Sequence, residues 1–155
     1  MQSSDATADL LTLDKQMCFA LYSASLAMTK LYKPLLSEIG LTYPQYLVML
    51  VLWEQDGITV SRLKDRLYLD YGTLTPLIKR LEKQDLLFRT RPPEDERQVV
   101  VHLTDKGRSL QGLARRVPEQ VASASACSLA ELEELKGQLC ALRNRIYGHL
   151  ESGAA

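Results

Sequence analysis

Apolar residues recur at helical spacing through the first quarter of the chain. Met17, Leu21, Met28, Leu31 and Leu35 predict a long helix over residues 14–37, ended at Ile39-Gly40. Thr42-Tyr-Pro-Gln45 has the form of a helix start: Thr42 as N-cap, Pro44 in the first turn and Gln45 closing a capping box. The helix it opens turns Leu47, Leu50 and Val51 inward and stops at Asp56-Gly57. Thr59 caps a short third helix reaching Leu67. A fourth runs over residues 73–84, with Leu74, Leu77, Ile78 and Leu81 on one side and Lys79, Arg80 and Lys83 mostly outward.

The period then shortens. Leu86-Leu-Phe-Arg-Thr-Arg91 and Gln98-Val-Val-Val-His-Leu103 read as two strands separated by Pro92-Pro-Glu-Asp-Glu-Arg97, a hairpin wing. Thr104 caps a fifth helix that reaches the Val117-Pro118 region. Ser128-Leu-Ala-Glu131 is a second capping box, and it opens a last helix whose Leu132, Leu135, Leu139, Leu142 and Ile146 form a narrow a/d seam. The final Ser-Gly-Ala-Ala reads as disordered.

The pattern therefore predicts a mainly α fold with a small β-hairpin wing, a winged helix-turn-helix. The end helices carry apolar stripes with little core of their own, so a homodimer through the N- and C-terminal helices is expected. The 155 residues fit one domain, with dimerisation helices at 14–38 and 105–150 and a DNA-binding lobe at 42–103.

Composition narrows the class. At 46% hydrophobic and 25% charged the chain suits a soluble fold. It holds no apolar run of membrane-spanning length, and Met1-Gln-Ser-Ser-Asp-Ala-Thr lacks the order of a signal peptide, so a cytoplasmic location with no membrane partner is expected. Three cysteines (Cys18, Cys127, Cys140) do not make a framework of paired bridges. Two histidines without a CxxC pair argue against zinc, and no cofactor is expected. Phosphate-cradling glycine loops, paired catalytic carboxylates and a Ser/His/Asp arrangement are all missing, which argues against an enzyme.

Net charge is zero, yet its distribution is uneven. Residues 1–58 balance at −3, residues 59–91 at +4 and residues 92–155 at −1. A basic segment between acidic flanks fits a module that contacts double-stranded DNA. In a winged helix the residues at the start of the recognition helix meet base edges. Here those are Thr73, Thr75 and Pro76, with Lys79 and Arg80 a turn later. Threonine hydroxyls read base edges, Pro76 packs on a thymine methyl, and Lys79 or Arg80 reaches guanine or phosphate. Arg97 at the hairpin tip suits a narrow minor groove, with Asp95 placed to fix its rotamer. Taken singly, each is better explained as helix-start or solvated turn chemistry.

Together, Ser61-Arg-Leu-Lys-Asp-Arg-Leu67, Thr73-Leu-Thr-Pro-Leu-Ile-Lys-Arg-Leu-Glu-Lys-Gln-Asp-Leu-Leu87, Arg89-Thr-Arg and Asp95-Glu-Arg97 followed by Leu103-Thr-Asp-Lys-Gly107 resemble the MarR family of winged-helix regulators. The Asp-x-Arg wing tip followed by Leu-Thr-x-x-Gly is the most specific part, and the resemblance spans about residues 14–150. It implies a homodimer on a pseudo-palindromic operator, commonly a repressor, with Arg89 among the DNA contacts.

Cys18 with Tyr32 and Tyr43, and Leu69-Asp-x-Gly-Thr-Leu-Thr-Pro76, resemble the organic-peroxide-sensing OhrR-type branch of that family. The resemblance implies that Cys18 is the redox-sensing thiol and that Tyr32 and Tyr43 stabilise its thiolate. It also implies that Tyr22 contributes from the other subunit, that organic hydroperoxide is the oxidant, and that Cys127 resolves oxidised Cys18 as an intersubunit disulfide. Tyr71 departs from the branch, which usually has a small residue there. The chemistry is sound: the thiolate is the nucleophile, phenol donors lower its pKa, and Lys15 adds a weak positive field. The residues alone leave Cys18 open to a role as a small core hydrophobe and the tyrosines to ordinary packing. Two rival functions are a MarR-type regulator responding to a phenolic or drug ligand and a thiol peroxidase.

Overall fold

The computed structural model describes residues 9–153; the N-terminal segment read above for a leader lies outside them. Two 3-10 turns, Asp9–Leu11 and Leu13–Lys15, precede helix α1, Met17–Ser37. The first helix therefore begins three residues later than the pattern predicts. Gln16 is extended (φ −86°, ψ 109°), and its amide donates to the Leu10 and Thr12 carbonyls, which holds the 3-10 path in place of a helical turn. The chain leaves α1 through Gly40 at φ 73°, a left-handed turn that suits glycine.

Helix α2, Tyr43–Glu54, opens on the expected capping box: the Gln45 N–H donates to Thr42 Oγ1, and the Thr42 N–H donates to Gln45 Oε1 at 2.9 Å. Its buried face differs from the reading. Tyr46, Val48, Met49, Val51 and Leu52 are buried, Leu47 is half-buried and Leu50 is 36% exposed. The helix is apolar nearly all round because it packs against α1 and three later helices, so helical periodicity does not select one inward stripe.

Strand β1, Ile58–Thr59, was not legible in the pattern. Helix α3, Val60–Leu67, is capped by Thr59 as expected and ends at Tyr68 in the left-handed region (φ 56°). Helix α4, Tyr71–Lys83, starts two residues before Thr73 because Asp70 is the N-cap, its Oδ1 accepting from the Thr73 N–H at 2.7 Å. Strands β2, Leu87–Thr90, and β3, Val100–Leu103, pair antiparallel with Leu87 opposite Leu103 and Thr90 opposite Val100. The sheet order is β1-β3-β2, with Ile58 opposite Val101.

Helix α5, Asp105–Ala114, is capped by Thr104, whose Oγ1 accepts from the Gly107 N–H at 3.0 Å. It stops at Ala114, short of the expected Val117-Pro118 region, and a separate helix α6, Arg116–Ala124, takes Pro118 in its first turn, where a missing N–H loses no intrahelical bond. Helix α7, Leu129–Gly153, opens on the second capping box, with the Ser128 N–H donating to Glu131 Oε2 at 2.7 Å and the Glu131 N–H to Ser128 Oγ at 3.2 Å. It includes Ser152 and Gly153, against the expectation of a disordered tail from Ser152 onward; residues 154–155 lie outside the described part.

These residues form two compact units, one ending at Val117 and one beginning at Pro118. The first holds a core of Leu36, Met49, Leu52, Leu63, Leu74, Ile78, Leu81, Leu87 and Val101, each under 3% exposed. Burying such a side chain contributes about 1.5–3 kcal/mol. In the second, α7 buries none of its residues: along the seam Leu135 is 52% exposed and Ile146 49%. Among the described residues no helix is long and apolar enough to cross a membrane.

Candidate DNA-reading surface and thiol site

The turn between α3 and α4 and the hairpin behind it set out the candidate DNA-reading side chains. On α4, Thr73, Pro76, Lys79 and Arg80 are exposed and Thr75 is half-buried, while Leu74, Leu77, Ile78 and Leu81 fix the opposite face in the core. Arg89 on β2 is tied back to α4, its Nε 2.9 Å from Glu82 Oε1. An open groove of about 470 Å³ joins helix to wing, and Tyr71, Thr75, Arg89 and Arg97 are among its walls. Thr73, Pro76, Lys79, Arg80 and Asp95 lie outside that lining. At the tip, Asp95 Oδ1 accepts from the Arg97 backbone N–H at 3.1 Å. Arg91 Nη1 donates to the Glu96 carbonyl at 2.8 Å. Asp95 thus fixes the path of the wing backbone, where the sequence suggested that it would hold the Arg97 rotamer.

The thiols sit on different elements. Cys18 is the second residue of α1 and is exposed, with Tyr22 one turn later and 62% exposed. Lys15, expected one helical turn before it, belongs to the 3-10 turn. Tyr32, near the far end of α1, meets Tyr43 at the start of α2 with ring centroids 4.8 Å apart and planes tilted by 52°. Tyr46 completes the cluster at 5.9 Å from Tyr32 and 6.4 Å from Tyr43. Burial, reinforced by Tyr43 and Tyr46, pushes the Tyr32 phenol up from 10.0 to about 12. Burial also raises Tyr43, and burial followed by the neighbouring Tyr43 raises Tyr46. All three are therefore protonated hydrogen-bond donors at neutral pH.

Helix geometry separates the two halves of this site within one chain. At 1.5 Å per residue, Cys18 and Tyr32 are about 21 Å apart along α1, so a single copy does not bring the thiol to the tyrosine pair. Cys127 is exposed in the turn after Ala126, itself at φ 56°. Its Sγ–H donates to the Ser125 carbonyl and its N–H to Ser125 Oγ, both at 3.4 Å. Cys140 is half-buried within α7.

The chain and its fold are similar to known proteins. A family model described as transcriptional regulator SarA/Rot matches residues 30–112. The chain is 45% identical over 139 residues to the organic hydroperoxide resistance transcriptional regulator of Bacillus subtilis (strain 168), a match over 90% of this chain and 95% of that protein. Among solved structures, reduced AbfR bound to DNA superposes with a TM-score of 0.76 at 34% identity, covering 89% of this chain and 94% of that one. Disulfide-formed AbfR gives 0.61 at 33% identity, covering 96% and 99%. AbfR is a protein of Staphylococcus epidermidis. This chain belongs to the MarR-type winged-helix transcriptional regulators. It is a regulator of the MarR/OhrR type.

The family's Leu-Thr-x-x-Gly stretch has a packing reason in this regulator. A Cβ on Gly107 would collide with the Leu86 carbonyl oxygen, which already accepts from the Thr104 N–H at 3.1 Å. Trp53 Nε1 donates to the Gly107 carbonyl at 2.9 Å, so α2 and α5 close on the wing's base there. Sequence reasoning also missed Asp56. Its Oδ1 accepts from the Gly57 and Leu103 N–H groups, both at 2.8 Å, and its Oδ2 from Arg108 Nη2 at 2.9 Å. Burial alone would raise this carboxyl, but the bonds from Leu103, Arg108 and Gly57 together hold it below the usual range. The Asp-Gly pair was read only as a helix stop, since its partners lie about fifty residues away. Tyr46 was missed too, although its spacing of three from Tyr43 on α2 places the two rings on one face.

Proposed function

We propose that this regulator is an organic-peroxide-responsive repressor. Two copies associate through their N- and C-terminal helices (residues 14–38 and 105–150 of a single MarR-type domain) and place the lobes at 42–103 on a pseudo-palindromic operator in cytoplasmic DNA. The observation that carries the reading is the half-buried Tyr32–Tyr43 pair, held as neutral donors, in a chain whose exposed Cys18 stands on the same helix out of their reach. In a dimer, Tyr32 and Tyr43 of the partner subunit donate to the Cys18 sulfur and favour its thiolate. Tyr22, one turn from Cys18 on the same helix, flanks that sulfur from its own subunit, not from the other as the resemblance implied.

The thiolate attacks one oxygen of the hydroperoxide. An S–O bond forms, the O–O bond breaks, and the departing alkoxide takes a proton to leave as an alcohol. The Cys127 thiolate of the other subunit then attacks the sulfenic sulfur and expels hydroxide, leaving a disulfide. A bridge needs Cα atoms within about 7 Å, and meeting it shifts the recognition helices off the one-turn spacing of paired half-sites. Contacts from Thr73, Thr75, Pro76, Lys79, Arg80, Arg89 and Arg97, with Asp95 shaping the wing, are then lost together.

A second reading is favoured by a cavity of about 420 Å³ lined by Ile39, Leu86, Leu110, Leu113 and Lys106, which suits an apolar acid or phenol. Operator binding by anisotropy separates the two. Reduced wild type, Cys18→Ser and Cys127→Ser are compared with and without a few equivalents of cumene hydroperoxide. The peroxide switch requires that wild type release DNA, that Cys18→Ser stay bound, and that a non-reducing gel show a Cys127-dependent dimer. Release by Cys18→Ser as readily as by wild type would transfer the function to the ligand cavity.

A further inference from the structure

Tyr71 is the first residue of α4, where the helix would enter the major groove, and it is 52% exposed. It lines the same open groove as Thr75, Arg89 and Arg97. Its ring is held from one side: Lys64 Nζ, on α3, sits 5.5 Å from the ring centroid, inside cation–π range. That ammonium is itself fixed, 2.6 Å from Asp65 Oδ1. The turn that sets this up is local. Tyr68 takes the left-handed conformation, the Leu69 N–H donates to the Lys64 carbonyl at 3.2 Å, and Asp70 caps α4. An aromatic ring so placed makes no contribution to the core, and the Lys64 ammonium biases its orientation before any partner arrives.

The geometry points to Tyr71 as a specificity-determining residue of the operator contact, reading the C5 methyl of a thymine with the ring surface that Lys64 leaves open. The major groove offers one apolar feature, that methyl, and an exposed ring at the first position of a recognition helix matches it. Lys64 acts as the positioning residue, keeping the ring from folding back over α3. This assignment rests on the reading of α4 as the major-groove helix.

The test uses full-length reduced protein and an operator obtained by selection with wild type. Each thymine of one half-site is replaced in turn by deoxyuridine, which removes the methyl and leaves base pairing intact. Wild type is expected to lose about fourfold in affinity at one thymine, the value of one buried methyl. Tyr71→Phe keeps that loss, because the ring and not the hydroxyl makes the contact. Tyr71→Ser binds the thymine and deoxyuridine operators equally at that position, with an unchanged salt slope, and Lys64→Met shows a reduced discrimination. Retention of the full methyl dependence by Tyr71→Ser would overturn the assignment. So would a uniform loss on all sequences with a shallower salt slope, which marks a phosphate contact. Failure of the groove reading itself has a different signature: wild type would then bind selected and scrambled DNA alike.

Discussion

The rings of Tyr32 and Tyr43 meet at 4.8 Å, and this contact joins the end of α1 to the start of α2. Burial first, then Tyr43 and Tyr46, lifts the Tyr32 phenol to about 12. A group with a raised folded pKa binds its proton more tightly in the native state, so its contribution is complete below the unfolded value and is lost as pH rises through the folded one. Stability should therefore fall across pH 10.0 to about 12, and Tyr32→Phe should lack that part of the fall. Tyrosinate absorbance during a pH titration checks it: the highest-titrating tyrosine of wild type should disappear in Tyr32→Phe. Titration of every tyrosine near its ordinary value would contradict the cluster.

Gly107 is constrained by space. A methyl there would run into the Leu86 carbonyl, which is backbone and cannot swing away as a side chain would. Overpacking of this kind costs about 1–3 kcal/mol, and Gly107→Ala should fall at the upper end because the Thr104–Leu86 and Trp53–Gly107 hydrogen bonds share the same spot. Urea unfolding should show a lower midpoint with an unchanged slope. Gly112, whose Cβ position is open, provides the control: Gly112→Ala should leave the midpoint unchanged or raise it.

Asp70 holds the first turn of α4. The Thr73 N–H, and then its hydroxyl, keep the carboxyl below its ordinary value. A depressed folded pKa gives a contribution present above about pH 3.9 and lost as pH falls through the folded value. Asp70→Ala should melt earlier than wild type at neutral pH, and the gap should narrow as pH falls below the ordinary carboxylate value and the folded carboxyl takes up its proton. It should also weaken operator binding, since Thr73, Thr75 and Pro76 depend on that turn. A gap that stays constant with pH would mean that the ionised cap is not what stabilises the turn.

Much of this fold is written in local chemistry. Thr42 with Gln45, and Ser128 with Glu131, announce their helices because a capping box needs only residues three apart. The hairpin is similarly plain, from alternation on both sides of Pro92-Pro93. What was hidden depends on distant partners or on competition between neighbouring caps. Two-residue β1 exists only because β3 lies beside it. Asp70 and Thr73 both suit an N-cap, and the carboxylate holds the position. Val117-Pro118 reads as the far end of the fifth helix, yet Pro118 sits in the first turn of α6, which has no use for its missing N–H. For the thiol site, residue types and the single helix that sets Cys18 about 21 Å from Tyr32 (about 1.5 Å per residue) were legible from the sequence, while the Tyr32–Tyr43 contact exists only because α1 packs on α2.

That separation yields a test that a single-chain site would fail. If Cys18 is activated by Tyr32 of the partner subunit, two inactive variants should complement each other. Cys18→Ser homodimers have no sensing thiol, and Tyr32→Phe/Tyr43→Phe homodimers have thiols without phenol donors. A mixed dimer holds one complete site, made from the intact Cys18 of the second chain and the intact tyrosines of the first. Refolding the two variants together should restore rapid, peroxide-dependent oxidation to about half of the cysteine content found in wild-type dimers. That half follows from one complete site per mixed dimer, corrected for the homodimers also formed. Intact-mass kinetics on tagged chains reads which subunit carries the oxidised sulfur, and it should be the tyrosine variant. Were each chain to supply its own phenols, mixing would leave both variants as slow as before, and the dimer would have no part in activating the thiol.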